Sequence, residues 1–222
     1  MIDIEEKISK YRKKLDQWLS DSYGDEYGNF NGEHDIDYDG WVEIENLLKE
    51  PFESNRLKSL SEACLNDILF FISRSEEGGR IIAWLYPDQK QLSNIADLPF
   101  ENFIVLCEHA LKSTDDYCDY QFANCFQKFE NLTPKLEKLL IGFFKKKYIY
   151  TKRLSLISLA KHKFPELERY IVELWETNDE WAGLNCIHAL KTSGCNDDLF
   201  KKYRAILLNS NDKYIRENAR KI

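Results

Sequence analysis

The sharpest chemical signal in this 222-residue chain is Asp35-Ile36-Asp37-Tyr38-Asp39-Gly40. Carboxylates at alternate positions with a glycine at the sixth offer the hard oxygen ligands and the sharp turn that a calcium ion asks of a loop. The twelfth position, however, is Asn46 where a bidentate glutamate is needed, and no helical pattern immediately precedes Asp35. Three readings stand side by side: adventitious calcium binding, a solvated acidic loop capping a helix that starts near Trp41, and a partner-contact loop. The solvated loop is the ordinary one, and no metal or cofactor is expected of the chain.

The other reactive residue types are dispersed. His34, His109, His162 and His188 lie far apart, with no pair at the one-turn spacing of a zinc-protease helix. Six cysteines (Cys64, Cys107, Cys118, Cys125, Cys186, Cys195) include no two-residue spacing, which rejects a zinc ribbon and a thioredoxin-like site. Four of them, Cys64, Cys107, Cys125 and Cys186, sit among apolar residues at helical spacing, where a reduced cysteine is a small core hydrophobe. No glycine pattern follows a strand and no nucleophile elbow is present, so the chain is expected not to be an enzyme. The run Lys145-Lys146-Lys147, with Lys152, Arg153, Lys161 and Lys163 nearby, has two readings. It is either a phosphate-binding patch or the end of a helix, where cations offset the negative end of the dipole; the second is favoured.

The elements that position these residues read as helices. Ile4, Ile8, Tyr11, Leu15, Trp18 and Leu19 recur at three and four, an amphipathic helix over residues 1–20. Residues 21–40 then hold four glycines, seven acids and no Lys or Arg, with Tyr23, Tyr27, Phe30 and Tyr38 among them. A polar loop of this length inside a compact domain is either functional or mobile. Residues 41–112 continue as helices: Trp41 to Glu50, ended by Pro51; one capped by Ser59 or Ser61; Ile81 to Tyr86; Gln89 to Ile95; and Phe100 to Leu111.

Residues 113–222 repeat. Tyr117, Tyr150, Trp181 and Tyr214 recur at spacings of 33, 31 and 33, and each opens a helix. Asn178-Asp179-Glu180-Trp181 and Asn211-Asp212-Lys213-Tyr214 share a capping residue ahead of an aromatic. A second series lies between these helices: Leu136 to Phe144, Leu167 to Trp175 and Phe200 to Leu208, with Pro134 and Pro165 two residues before the first two. Two interleaved series at one period resemble HEAT-type repeats, with Asp179 to Leu190 as the best match: Ala182, Ala189 and Leu190 stand at the small and apolar positions and Gly194 at the turn. The basic residue usual in the first helix is present as Arg153 and Arg216 and replaced by Tyr120 and Leu184. The resemblance implies an all-α fold, a short right-handed α-α superhelix forming a single continuous domain behind the N-terminal helix and acidic loop. Such stacking buries the stripe that one helix pair cannot bury alone.

Among such proteins the chain looks like the small bacterial HEAT-like proteins that include immunity proteins neutralising a cognate polymorphic toxin, as in contact-dependent growth inhibition. That likeness implies a noncatalytic protein that covers the active or substrate-binding surface of a toxin, with acidic groups facing the cationic surface a nuclease needs. The residues expected at such a contact are Asp35, Asp37, Tyr38, Asp39, Trp41 and Glu43 in the loop, with Asp115, Asp116 and Asp119 at the repeat junction. The alternatives are a nucleic-acid binder or repair glycosylase using the basic repeats, and a general scaffold. No apolar stretch suits a secretory signal or a membrane span, so a cytoplasmic setting without membrane contact is expected.

Charge separates along the chain. The net −7 comprises 12 basic and 25 acidic groups in residues 1–116, a balance of −13, and 19 basic and 13 acidic groups in residues 117–222, a balance of +6. A cationic partner is therefore expected at the N-terminal half, and nucleic acid is disfavoured by the total without being excluded at the repeats.

Overall fold

A computed structural model describes residues 3–24, 37–54, 56–75, 81–85, 100–113 and 118–222. Among them the chain forms eleven α-helices and no strand. It divides into two compact units, residues 1–128 and 129–222. The line expected at 112/113 does not coincide with this division, and the helix expected to open the repeats falls in the first unit.

The first unit contains α1 (Ile4–Tyr23), α2 (Trp41–Glu53), α3 (Glu62–Arg74), α4 (Phe100–Ala110) and α5 (Asp119–Cys125), with 3-10 turns at Leu57–Ser59, Ile82–Leu85 and Phe126–Lys128. On α1, Ile8, Leu15 and Leu19 are fully buried, the helical stripe read from sequence. α3 is the central element: every residue from Ile68 to Ser75 is buried, as a helix packed against both α1 and α4 requires. Polar clamps fix these neighbours. The Glu5 carboxylate accepts from the Ser61 amide at 2.9 Å and its hydroxyl at 2.6 Å. Asn66 Oδ1 lies 2.9 Å from His109 Nε2, and Gln121 donates to the buried Ile72 carbonyl at 3.1 Å.

Pro51 does not end α2. The helix runs on to Glu53 with Pro51 buried inside its last turn. The proline there removes one helical donor, and burying its ring and Phe52 offsets that loss. The carbonyl of Phe52 accepts from Asn102 at 2.7 Å, so a helix-end acceptor is satisfied by α4. The expected helix from Ile81 is a single 3-10 turn, and that at Gln89 to Ile95 lies outside the described residues.

The second unit contains α6 (Pro134–Phe144), α7 (Ile149–Lys161), α8 (Leu167–Trp175), α9 (Glu180–Ser193), α10 (Asp197–Leu207) and α11 (Lys213–Lys221). α9 is its hub, packed against α7, α8, α10 and α11, while α7 also packs against α6 and α8. Leu136, Leu139, Leu140, Phe143, Phe144, Leu167, Tyr170, Ile171 and Leu174 are buried, as the second series requires. Aromatic pairs join successive members of that series. Phe144 meets Tyr170 edge-on at 4.8 Å, and Trp175 stacks on Tyr203 at 3.7 Å with 5° between the rings.

The helix starts are chemically defined. Asp179 accepts from the Ala182 amide at 2.6 Å, Asn196 from Leu199 at 2.9 Å, and Asp212 from Tyr214 at 2.7 Å. Gly194 ends α9 with φ +65°, the left-handed conformation that glycine adopts without a Cβ penalty. Replacing Asp179 or Asp212 by Ala removes a capping acceptor and is expected to lower stability by about 1 kcal/mol each. Asp179→Asn, which keeps an acceptor, should recover most of that loss in urea unfolding.

Candidate functional site

The acidic entrance of α2 is built on an aromatic cluster. Trp18 of α1 faces Tyr38 at 5.3 Å, Tyr38 meets Trp41 edge-on at 6.2 Å, and Trp18 meets Tyr23 edge-on at 6.1 Å. Trp41 opens α2 and is only 3% exposed, in line with Ile44 and Leu48 on the buried face. Outside this cluster, Asp37, Asp39 and Glu43 are exposed, and Val42 between them is 62% exposed. The surface is thus a carboxylate rim around one apolar side chain, held at a helix N-terminus where negative charge is favourable. Partial burial, and then the nearby Glu43 carboxylate, raise the Tyr38 hydroxyl above the ordinary tyrosine range, so it remains a protonated donor.

Of the residues expected at a partner contact, Asp37, Asp39 and Glu43 are exposed together and Tyr38 is half-buried. Trp41 and Asp119 are corrections. Trp41 belongs to the core, since a first-turn aromatic in register with Ile44 and Leu48 points inward. Asp119 is fully buried in the first turn of α5. Asp35, Asp115 and Asp116 lie outside the described residues.

Gly40 serves packing here. Its φ is −81°, and a Cβ added to it would come within 2.4 Å of the Tyr38 ring. Among the described residues, no group of three or more His, Cys, Asp or Glu side chains is placed to hold a metal ion. Gly40→Ala is expected to displace Tyr38 from Trp18 and Trp41, lowering stability by about 1–2 kcal/mol. Near-ultraviolet circular dichroism should report the lost ring contacts.

A second surface, which the sequence reading did not single out, lies on the second unit. Arg153 of α7, Trp181, Asn185 and His188 of α9, and Asn218 of α11 line an open groove of about 250 Å³. The Arg153 guanidinium lies 5.2 Å from the Tyr150 ring centre and 6.0 Å from that of Trp181, and Arg153 Nε donates to Asn185 Oδ1 at 2.8 Å. Trp181 is 45% exposed and Tyr214 68% exposed. The available signal was an aromatic followed four residues later by asparagine, present in α9 and again in α11. Lys145 to Lys147 directly follow the last residue of α6, the position in which cations offset its dipole.

All six cysteines are reduced, and only Cys195 is exposed. Burial pushes the thiols of Cys64 and Cys186 up to about 12 and that of Cys107 well above the free-thiol value. In the folded chain a disulfide reagent should therefore titrate one thiol rapidly, with the other five following only in denaturant. Cys195→Ser should abolish the fast phase. Comparison with known proteins finds no matching family model, no matching curated protein and no matching solved structure.

Proposed function

We propose that this chain is a noncatalytic protein-binding module that captures a cationic protein partner, in the manner of a bacterial immunity protein blocking a cognate toxin in the cytoplasm. The observation that carries this reading is the rim of Asp37, Asp39 and Glu43 around exposed Val42, seated on the Trp18, Tyr38 and Trp41 cluster. A rigid aromatic base lowers the ordering cost of a contact surface, an apolar centre supplies contact area, and a charged rim steers the partner. The first unit carries 13 basic and 26 acidic residues, so its field favours a cationic surface such as that of a nuclease. We read the helical array of the second unit, with α9 packed on α7, α8, α10 and α11, as a short right-handed superhelix. No described helix is long and apolar enough to cross a membrane.

Co-expression with the product of the adjacent reading frame tests the proposal. A complex and protection from that product's toxicity are expected, and failure of both overturns the reading. In such a complex, Asp37→Lys with Asp39→Lys and Glu43→Lys should slow association by about tenfold or more at low salt, an effect that fades as salt rises. Charge reversal at Lys145 to Lys147 should leave the association rate unchanged.

A further inference from the structure

The groove of the second unit carries chemistry that an acidic docking rim does not use. Trp181 and Asn185 on α9, and Tyr214 and Asn218 on α11, form the same pair four residues apart, which places each pair on one helix face. Positions 181 and 214 are equivalent in the repeat, so the groove presents two similar rungs. Their hydrogen bonds leave complementary groups over. Asn185 Oδ1 accepts from Arg153 at 2.8 Å, which leaves its amide hydrogens. Asn218 Nδ2 donates to the Tyr214 carbonyl at 2.9 Å, which leaves its oxygen.

One amide donor and one amide acceptor beside an exposed indole match the main chain of an extended peptide, in which the N–H and C=O of one residue point the same way. The charges select the side chains. Arg153 and His188 line the groove with no carboxylate side chain, Lys191 stands at its rim and donates to the Ile222 main-chain oxygen, and the unit carries 18 basic against 12 acidic residues. A nucleic-acid strand would also stack on the aromatics, but it requires a continuous cationic track. Glu180 and Glu217 stand beside the two rungs and interrupt such a track.

We propose that this groove binds an extended acidic peptide segment of a protein partner. Asn185 and Asn218 pair with its main chain, Arg153 meets its carboxylates, and Trp181 and Tyr214 form the walls. The proposal is independent of the acidic rim on the first unit, and either can fail alone.

The test uses the full chain and fluorescein-labelled peptides of about a dozen residues alternating Thr with Glu, Gln or Lys, followed by fluorescence anisotropy at low salt. The Glu peptide is expected to bind, the Gln peptide at least about tenfold more weakly, and the Lys peptide not at all. Trp181→Ala and Asn218→Ala should each weaken the Glu peptide by about tenfold, as should N-methylation of its central amides. Asn218→Asp, which keeps the side-chain shape while adding a carboxylate, should repel the Glu peptide and spare circular dichroism. The proposal is overturned by any of four results: no binding at millimolar Glu peptide, equal binding of the Gln or Lys peptide, indifference to both side-chain substitutions and N-methylation, or tighter binding of an oligothymidylate of equal length.

Discussion

The second unit depends on how closely four helices approach α9. That approach is set by small side chains on α9: Ala182, Gly183, Cys186 and Ala189 are all buried. At Gly183 the limit is quantitative, since an added Cβ would lie 3.1 Å from a Leu207 methyl and 3.2 Å from the Trp175 ring. The missing side chain lets the Trp175 and Tyr203 stack and Leu207 close over the helix. A larger residue would force apart the elements that the stack joins, because a packed interior transmits strain instead of absorbing it. The groove on the other side of α9 inherits this rigidity. Arg153 reaches Asn185 across two helices because α7 and α9 are in direct contact.

In the first unit the corresponding problem is to hold acidic side chains at a surface while the adjacent aromatics stay packed. α2 resolves it by periodicity. Trp41, Ile44, Leu48 and Phe52 point into the core, and Val42 and Glu43 point out, so one helical turn separates apolar anchor from carboxylate rim. Asp39 and Glu43 also lie at the positive end of that helix, which tolerates several like charges better than an isolated loop does.

Much of this architecture was legible from residue types and spacing. The 31–33-residue period located the starts of α7, α9 and α11 because each is preceded or opened by a local chemical signal, the Asp179 and Asp212 caps above all. The buried faces of α6 and α8 followed from spacings of three and four. Exposure was less legible. Trp41 and Asp119 carry residue types common at contacts, yet burial depends on the neighbours that helix packing brings in, and no local pattern encodes those. Pro51 misled for a related reason: its effect on the chain is local, while the burial that offsets it is tertiary. The Arg153 and Asn185 contact, 32 residues apart, required the superposition of two repeats before it could be seen.

The two surfaces differ in what they ask of a partner. A carboxylate rim acts at range: its field steers an approaching cation before contact and is screened by salt over roughly 8–10 Å. The α9 groove acts only at contact, because amide donors and acceptors have no reach beyond a hydrogen bond, and its selectivity comes from main-chain geometry joined to one guanidinium. The chain's charges are divided accordingly, with a surplus of 13 acids in the first unit and of 6 bases in the second. A net charge of −7 describes neither surface, so solubility follows the total while recognition follows the parts. A partner engaging both would have to present a cationic face and an acidic extended segment, and binding at one would raise the effective concentration at the other only where its own geometry spans them.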